Sequence, residues 1–235
     1  MLAIYKREMR AYFTSFIGYT FIATFLVIAG LLFSLTTLSQ GAAADVTLYF
    51  KLLMFVYIVI IPLLTMKLFS DEKRLHTDTL LLTSPVGLFG MVFAKFLAAF
   101  TMYALTLLVS CINLIPLYRY GNQNTVVIFG NLFALLLIGA AFIAIGVFLS
   151  SLTENQIVAA ISTIAALLFL LIVGTFSDAI GFAPLRYVLN FLSIFKRFTF
   201  FTYGLIDYAA LIYYASVVVV FLFLTVRVFE KRRWS

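Results

Sequence analysis

The sequence predicts an all-α integral membrane protein of six transmembrane helices, and three observations predict it. Of 235 residues, 65% are hydrophobic and only 11% are charged, whereas soluble domains average about half apolar and a quarter charged. In water such a chain would carry more apolar side chain than it could bury. Six apolar stretches reach the roughly 20 residues that a helix needs to cross the hydrocarbon core. The charged residues cluster between those stretches, as membrane topology demands. The net charge of +7 is thereby accounted for with membrane lipids and no nucleic acid as partner. Cys111, the single cysteine, permits no intrachain disulfide.

In chain order, residues 1–16 come first. Leu2, Tyr5, Met9, Tyr12, Phe13 and Phe16 recur at spacings of three and four, with Lys6, Arg7 and Arg10 to one side. This predicts an amphipathic helix on the inner surface; a plain positive-inside anchor fits the same residues. Spans follow at about 17–38, 46–66, 96–118, 126–149, 155–177 and 208–226, making residues 1–235 one transmembrane domain. Lys51 lies near one end of the second span and can snorkel. Ala42-Ala43-Ala44 resembles a signal cleavage site, but the preceding run is about twice the usual signal length, so an uncleaved span is expected.

Within the spans, Pro62 and Pro116 are expected kinks. Ser110, Asn113, Asn131, Ser162 and Thr163 are read as packing groups that hydrogen-bond between helices, and Gly139, Ala140, Ala144 and Gly146 as points of close helix approach. Between spans five and six, Tyr187–Phe195 is too short to cross as a helix. The aromatic residues Phe191, Phe195, Phe198, Phe200, Phe201 and Tyr203 surround Lys196 and Arg197 there. That predicts short interfacial or re-entrant helices at the outer surface.

Orientation follows from the basic residues. With the N-terminus inside, eleven of the sixteen lie on the inner side and five (Lys51, Arg119, Arg186, Lys196 and Arg197) outside. Both termini are thus expected in the cytoplasm.

The search for catalytic chemistry is negative. No phosphate-binding glycine loop occurs, so ATP is not expected on this chain. His76 is the only histidine, which leaves no zinc-protease motif, and no catalytic residue or metal site is predicted. No span carries a central ionisable group, an arrangement that argues against ion-coupled transport.

The most informative stretch joins spans two and three. It runs Asp71-Glu-Lys-Arg, then Thr77-Asp78, then Leu80-Leu-Leu, then Ser84-Pro85-Val86, and suits a short amphipathic helix that docks in a partner's groove. It resembles the permease subunits of ABC-2-type transporters, in the gliding-motility and copper-related branch. Lys6-Arg7-Glu8, Tyr12-Phe13, Ser151–Ile157, Tyr203–Asp207 and Glu230–Trp234 extend the resemblance along most of the chain. His76 stands where that family prefers Gly, and Thr79 where it prefers Glu.

The resemblance implies one permease half of an ATP-driven exporter in the bacterial cytoplasmic membrane, paired with a second, identical or related half. Two separate cytoplasmic ATPase subunits would carry the ATP and magnesium. A coupling helix built on Asp71, Glu72, Lys73, Arg74, Thr77, Asp78, Leu81, Leu82 and Pro85 would dock against the ATPase. Lys6, Arg7, Glu8 and Arg10 of the surface helix, with Glu154 and Asn155 of an inner turn, would face the same partner. For Glu154 and Asn155, capping of the fifth span competes with partner contact. Two other readings stand beside this one: a membrane scaffold or force-transmitting component that moves no solute, and a small secondary carrier.

Overall fold

A computed structural model of the chain describes residues 1–37, 46–75, 87–116, 125–176, 186, 189–190, 193–202 and 207–234. Among these, helices are α1 (Leu2–Thr14), α2 (Phe16–Thr36), α3 (Val46–Thr65), α4 (Lys67–Arg74), α5 (Leu88–Ser110), α6 (Thr125–Leu152), α7 (Gln156–Phe176), α8 (Ile194–Thr202) and α9 (Tyr208–Trp234), with a 3₁₀ turn at Cys111–Leu114 after α5. Six are long and apolar enough to span a membrane: α2, α3 continued by α4, α5 with its 3₁₀ turn, α6, α7 and α9. The chain is therefore a multi-pass helical membrane protein.

The spans form an inner and an outer set. The most apolar windows of α3, α5 and α6 are 56–61% buried, those of α2, α7 and α9 only 28–33%. α6 is the hub, packing on α3, α4, α5, α7, α8 and α9. It is apolar around its whole circumference, as a helix enclosed by others must be. Its small residues let neighbours close in: at Gly139 a methyl group would collide with the Tyr103 ring of α5, whose hydroxyl donates to Leu135 O at 2.6 Å.

The third span differs from its expected start. Helix α5 begins at Leu88 and runs straight through Lys95, which is only 1% exposed. A search for charge-free runs must begin after that lysine. Ion pairing lets the charge lie inside the helix bundle, so the helix starts a full two turns earlier. Of the polar residues expected to bond between helices, Asn113 does so, to Tyr49 of α3, while four others behave otherwise. Ser110 donates to Leu107 O, Asn131 to Val127 O, and Ser162 and Thr163 to Ala159 O. Each satisfies a carbonyl of its own helix rather than a neighbouring span, the cheapest partner for a short side chain in hydrocarbon.

At the N-terminus, Ser15 is extended (φ −90°, ψ 149°) and breaks α1 from α2. The chain turns so sharply there that a Cβ at Gly18 would strike the Tyr12 carbonyl. Tyr12 in turn donates to Leu64 O at 3.3 Å and Tyr5 to Thr101 Oγ1 at 3.1 Å. α1 is thereby pinned on α3 and α5. α8 buries Ile194, Phe195, Phe198 and Phe201; Phe195 meets the rings of Phe142 (α6) and Phe55 (α3), and Tyr214 of α9 donates to Ile194 O at 2.8 Å.

Candidate functional site

One end of the bundle, here the basal end, gathers α1, α4, the start of α5, the α6–α7 turn and the end of α9. Its geometry begins with Pro62, which lacks the amide that would continue the α3 ladder. Three residues on, Thr65 ends α3, and α4 starts at Lys67. The amides of Phe69 and Ser70 bond to Ser150 Oγ of α6, at 3.2 and 3.3 Å. Ser150 Oγ in turn reaches Met66 O at 3.1 Å, and Ser70 Oγ lies 3.2 Å from Ser150 O. These are the orphan donors that open a helix, and a serine normally caps them from within the same segment. Here another helix supplies the cap.

With α4 so fixed, its far side presents Glu72 to Lys95. The ammonium lies 2.9 Å from Glu72 Oε1, 3.1 Å from Glu8 Oε1 and 2.6 Å from Leu68 O. It also stands 5.0 Å over the Phe69 ring, which packs on Phe229 of α9. Arg7 bridges the two carboxylates from the rim, at 2.8 Å to Glu8 and 2.6 Å to Glu72. Two anions and two cations thus tie α1, α4 and α5 together. Burial alone would raise the Glu8 carboxyl, but Lys95 and Arg7 outweigh it and hold the group below the usual carboxylate range. Burial would lower Arg7, and the two glutamates reverse that and raise it.

A second set of contacts adds α7 and α9. Gln156 donates to Asp71, whose other neighbour is Arg74 at 3.8 Å. Glu154 and Arg232 stand 3.9 Å apart, both exposed, so this pair contributes little to stability. Asn155 accepts from the Ile157 amide at 2.9 Å and caps α7.

Of the residues singled out in the sequence, the fold brings Arg7, Glu8 and Glu72 into one cluster, with Asp71 beside Glu72 on α4 and bonded to Gln156 of α7. Lys6, Arg10 and Arg74 are exposed at its border, and Lys73 is buried. Thr77, Asp78, Leu81, Leu82 and Pro85 lie outside the described residues. Lys95, Ser150 and Gln156 were not singled out as site residues. The signal for Lys95 was present: one lysine within the apolar run Leu88–Ser110 must be paired or lie at an end. Ser150 and Gln156 carry no such signal, because a polar residue at a span end is ordinary. Among the described residues no three His, Cys, Asp or Glu side chains assemble as a metal cage would require. The cluster has no nucleophile–base pair; what it can do is hold three helices in one register. No protein-family model matches the chain, and comparison with curated proteins gives no match.

Proposed function

We propose that the chain is the transmembrane subunit of an ATP-driven transporter of the ABC-2 type, an exporter whose ATP is hydrolysed on separate cytoplasmic subunits. The basal end is then the cytoplasmic end, and α1, α4 and the α6–α7 turn are the surfaces on which two ATPase copies bear. A second copy or related half completes the pathway, and α8 is the outer re-entrant element.

The observation that carries this reading is the Lys95 cluster. It joins the surface helix, the start of the coupling segment and a spanning helix through one buried ammonium, so a push on α1 or α4 moves α5. Buried charge is costly unless paired on all sides, and the cost is intelligible where force must pass from surface to span. The residue pattern at 71–86 and the absence of a phosphate loop from the sequence support the same reading.

The test is a mild-detergent pull-down of the tagged chain from its native membrane. Recovery of a soluble subunit with a phosphate loop, weakened by Arg10→Glu with Arg74→Glu, is the expected result. Both arginines are exposed and outside the ion-pair cluster, so the bundle itself should persist. A stable complex without any ATPase would sink the proposal.

A further inference from the structure

Two cavities flank the corner where α1 turns into α2. One, of about 260 Å³, lies beneath α1 and has Tyr12, Leu64, Lys67, Asp71 and Glu72 in its wall. The other, of about 210 Å³, runs between α2 and α3 and is lined by Thr20, Thr24, Ile60, Leu63 and Met66. Ile17 belongs to both, and Met66 of the slot is the immediate chain neighbour of Lys67 in the basal cavity.

Their chemistry differs in the charged groups that only one of them carries. The slot is almost wholly apolar, and it borders residues open to hydrocarbon, Phe16 at 83% and Leu63 at 41% exposure. The basal cavity is apolar over most of its wall but has charged side chains set into it. Glu8 and Glu72 are taken up by Lys95 and Arg7. Lys67, half-buried in the wall, forms no ion pair among the described residues, and one helical turn from it stands the Asp71 carboxylate, whose Oδ1 accepts from Gln156 and lies 3.8 Å from Arg74.

We infer that the two cavities together hold one phospholipid of the basal leaflet, with its phosphate on Lys67, its headgroup amine toward Asp71 and one acyl chain in the α2–α3 slot. The charged half and the apolar half meet at Ile17, where the chain passes from surface helix to span, the depth at which headgroup gives way to acyl chain. A peptide occupant would need to lay its backbone along the slot in hydrocarbon, where its amides would go unsatisfied. A lipid tail has no such groups. A cation and a carboxylate one helical turn apart favour an aminated headgroup over a purely anionic one.

This site goes beyond the transport reading and needs no ATPase, so the chain can be tested alone. Native mass spectrometry of the full chain in detergent, titrated with phosphatidylethanolamine or phosphatidylglycerol, counts the lipids retained. One phosphatidylethanolamine should stay bound at concentrations where phosphatidylglycerol is lost. Lys67→Ala should weaken its retention about tenfold, the worth of one charge-assisted hydrogen bond. Thr24→Trp, which fills the slot, should abolish retention, whereas Ala23→Trp on the exposed face of α2 should leave it unchanged. Equal retention of both lipids would overturn the headgroup assignment. Retention that survives both Lys67→Ala and Thr24→Trp would mean annular lipid only and overturn the site; failure on either count leaves the transport proposal standing.

Discussion

Lys95 shows how a single charge is made tolerable inside a bundle. Its three oxygen contacts and the Phe69 ring replace the water it gives up, and removing it leaves two carboxylates facing each other with only Arg7 between. Lys95→Met should therefore cost about 3–5 kcal/mol, the usual penalty for orphaning a buried charge, read as a lower midpoint of thermal unfolding in detergent. Neutralising the partners as well, by Glu8→Gln and Glu72→Gln, should recover much of the loss, because an apolar or neutral replacement of the whole cluster leaves nothing unpaired. Acid titration probes the same contacts. The Glu8 carboxyl is held below its ordinary 4.5, so its stabilising effect is complete above that value and disappears as the pH falls through the depressed one. The gap in unfolding midpoint between the unmodified chain and Glu8→Gln should be constant near neutrality and close as the pH falls below 4.5. A gap of unchanged size would show that the carboxylate's charge is not what stabilises the contact.

At the scale of elements, α4 depends on a hydroxyl that belongs to α6. Ser150→Ala should cost about 1–2 kcal/mol, as the loss of a helix cap does. The amides of Phe69 and Ser70 should exchange hydrogen faster while those in the middle of α6 keep their protection. Gly139 gives a packing counterpart. Gly139→Ala presses a methyl group into Tyr103, which its hydrogen bond to Leu135 holds in place, and overpacking of this kind costs about 1–3 kcal/mol; the expected readout is a lower unfolding midpoint with unchanged helical content. Neither interaction was legible in the sequence. Small residues on the fourth span announced a close approach but not the partner, and Ser150 is indistinguishable from any polar residue at a span end. The surface helix was legible as a stripe of apolar residues, yet the stripe does not reveal that Glu8 faces inward. Charge cannot be assigned to a buried face until its counter-ion is known, and Lys95 is 87 residues away.

For the whole molecule, the spans themselves were the legible part, because hydrocarbon sets one length and excludes charge over it. The third spanning helix begins before the charge-free run at 96–118 for the same reason: pairing of Lys95 defeats a rule based on charge alone. The ion pairs and the α4 cap place both ends of the described chain at one end of the bundle, with α8 toward the other. In a Cys111→Ser background, cysteines at positions 74 and 232 should react with an impermeant reagent from one side of the membrane, and a cysteine at 196 from the opposite side. Positive-inside asymmetry predicts the cytoplasm for the first pair. Reaction of 74 and 196 from the same side would overturn the arrangement.

A cap supplied by α6 also sets a schedule for biogenesis. The ribosome completes Lys67–Arg74 some 75 residues before it reaches Ser150, and until the fourth span is in place two amides at the head of α4 have no acceptor from it. The segment thus reaches its final shape only once most of the polypeptide has been inserted. An ATPase subunit of the kind proposed above would find this surface unformed on an unfinished chain. Nascent chains arrested before and after residue 150 should differ accordingly in protease sensitivity near Arg74, with protection appearing only in the longer ones.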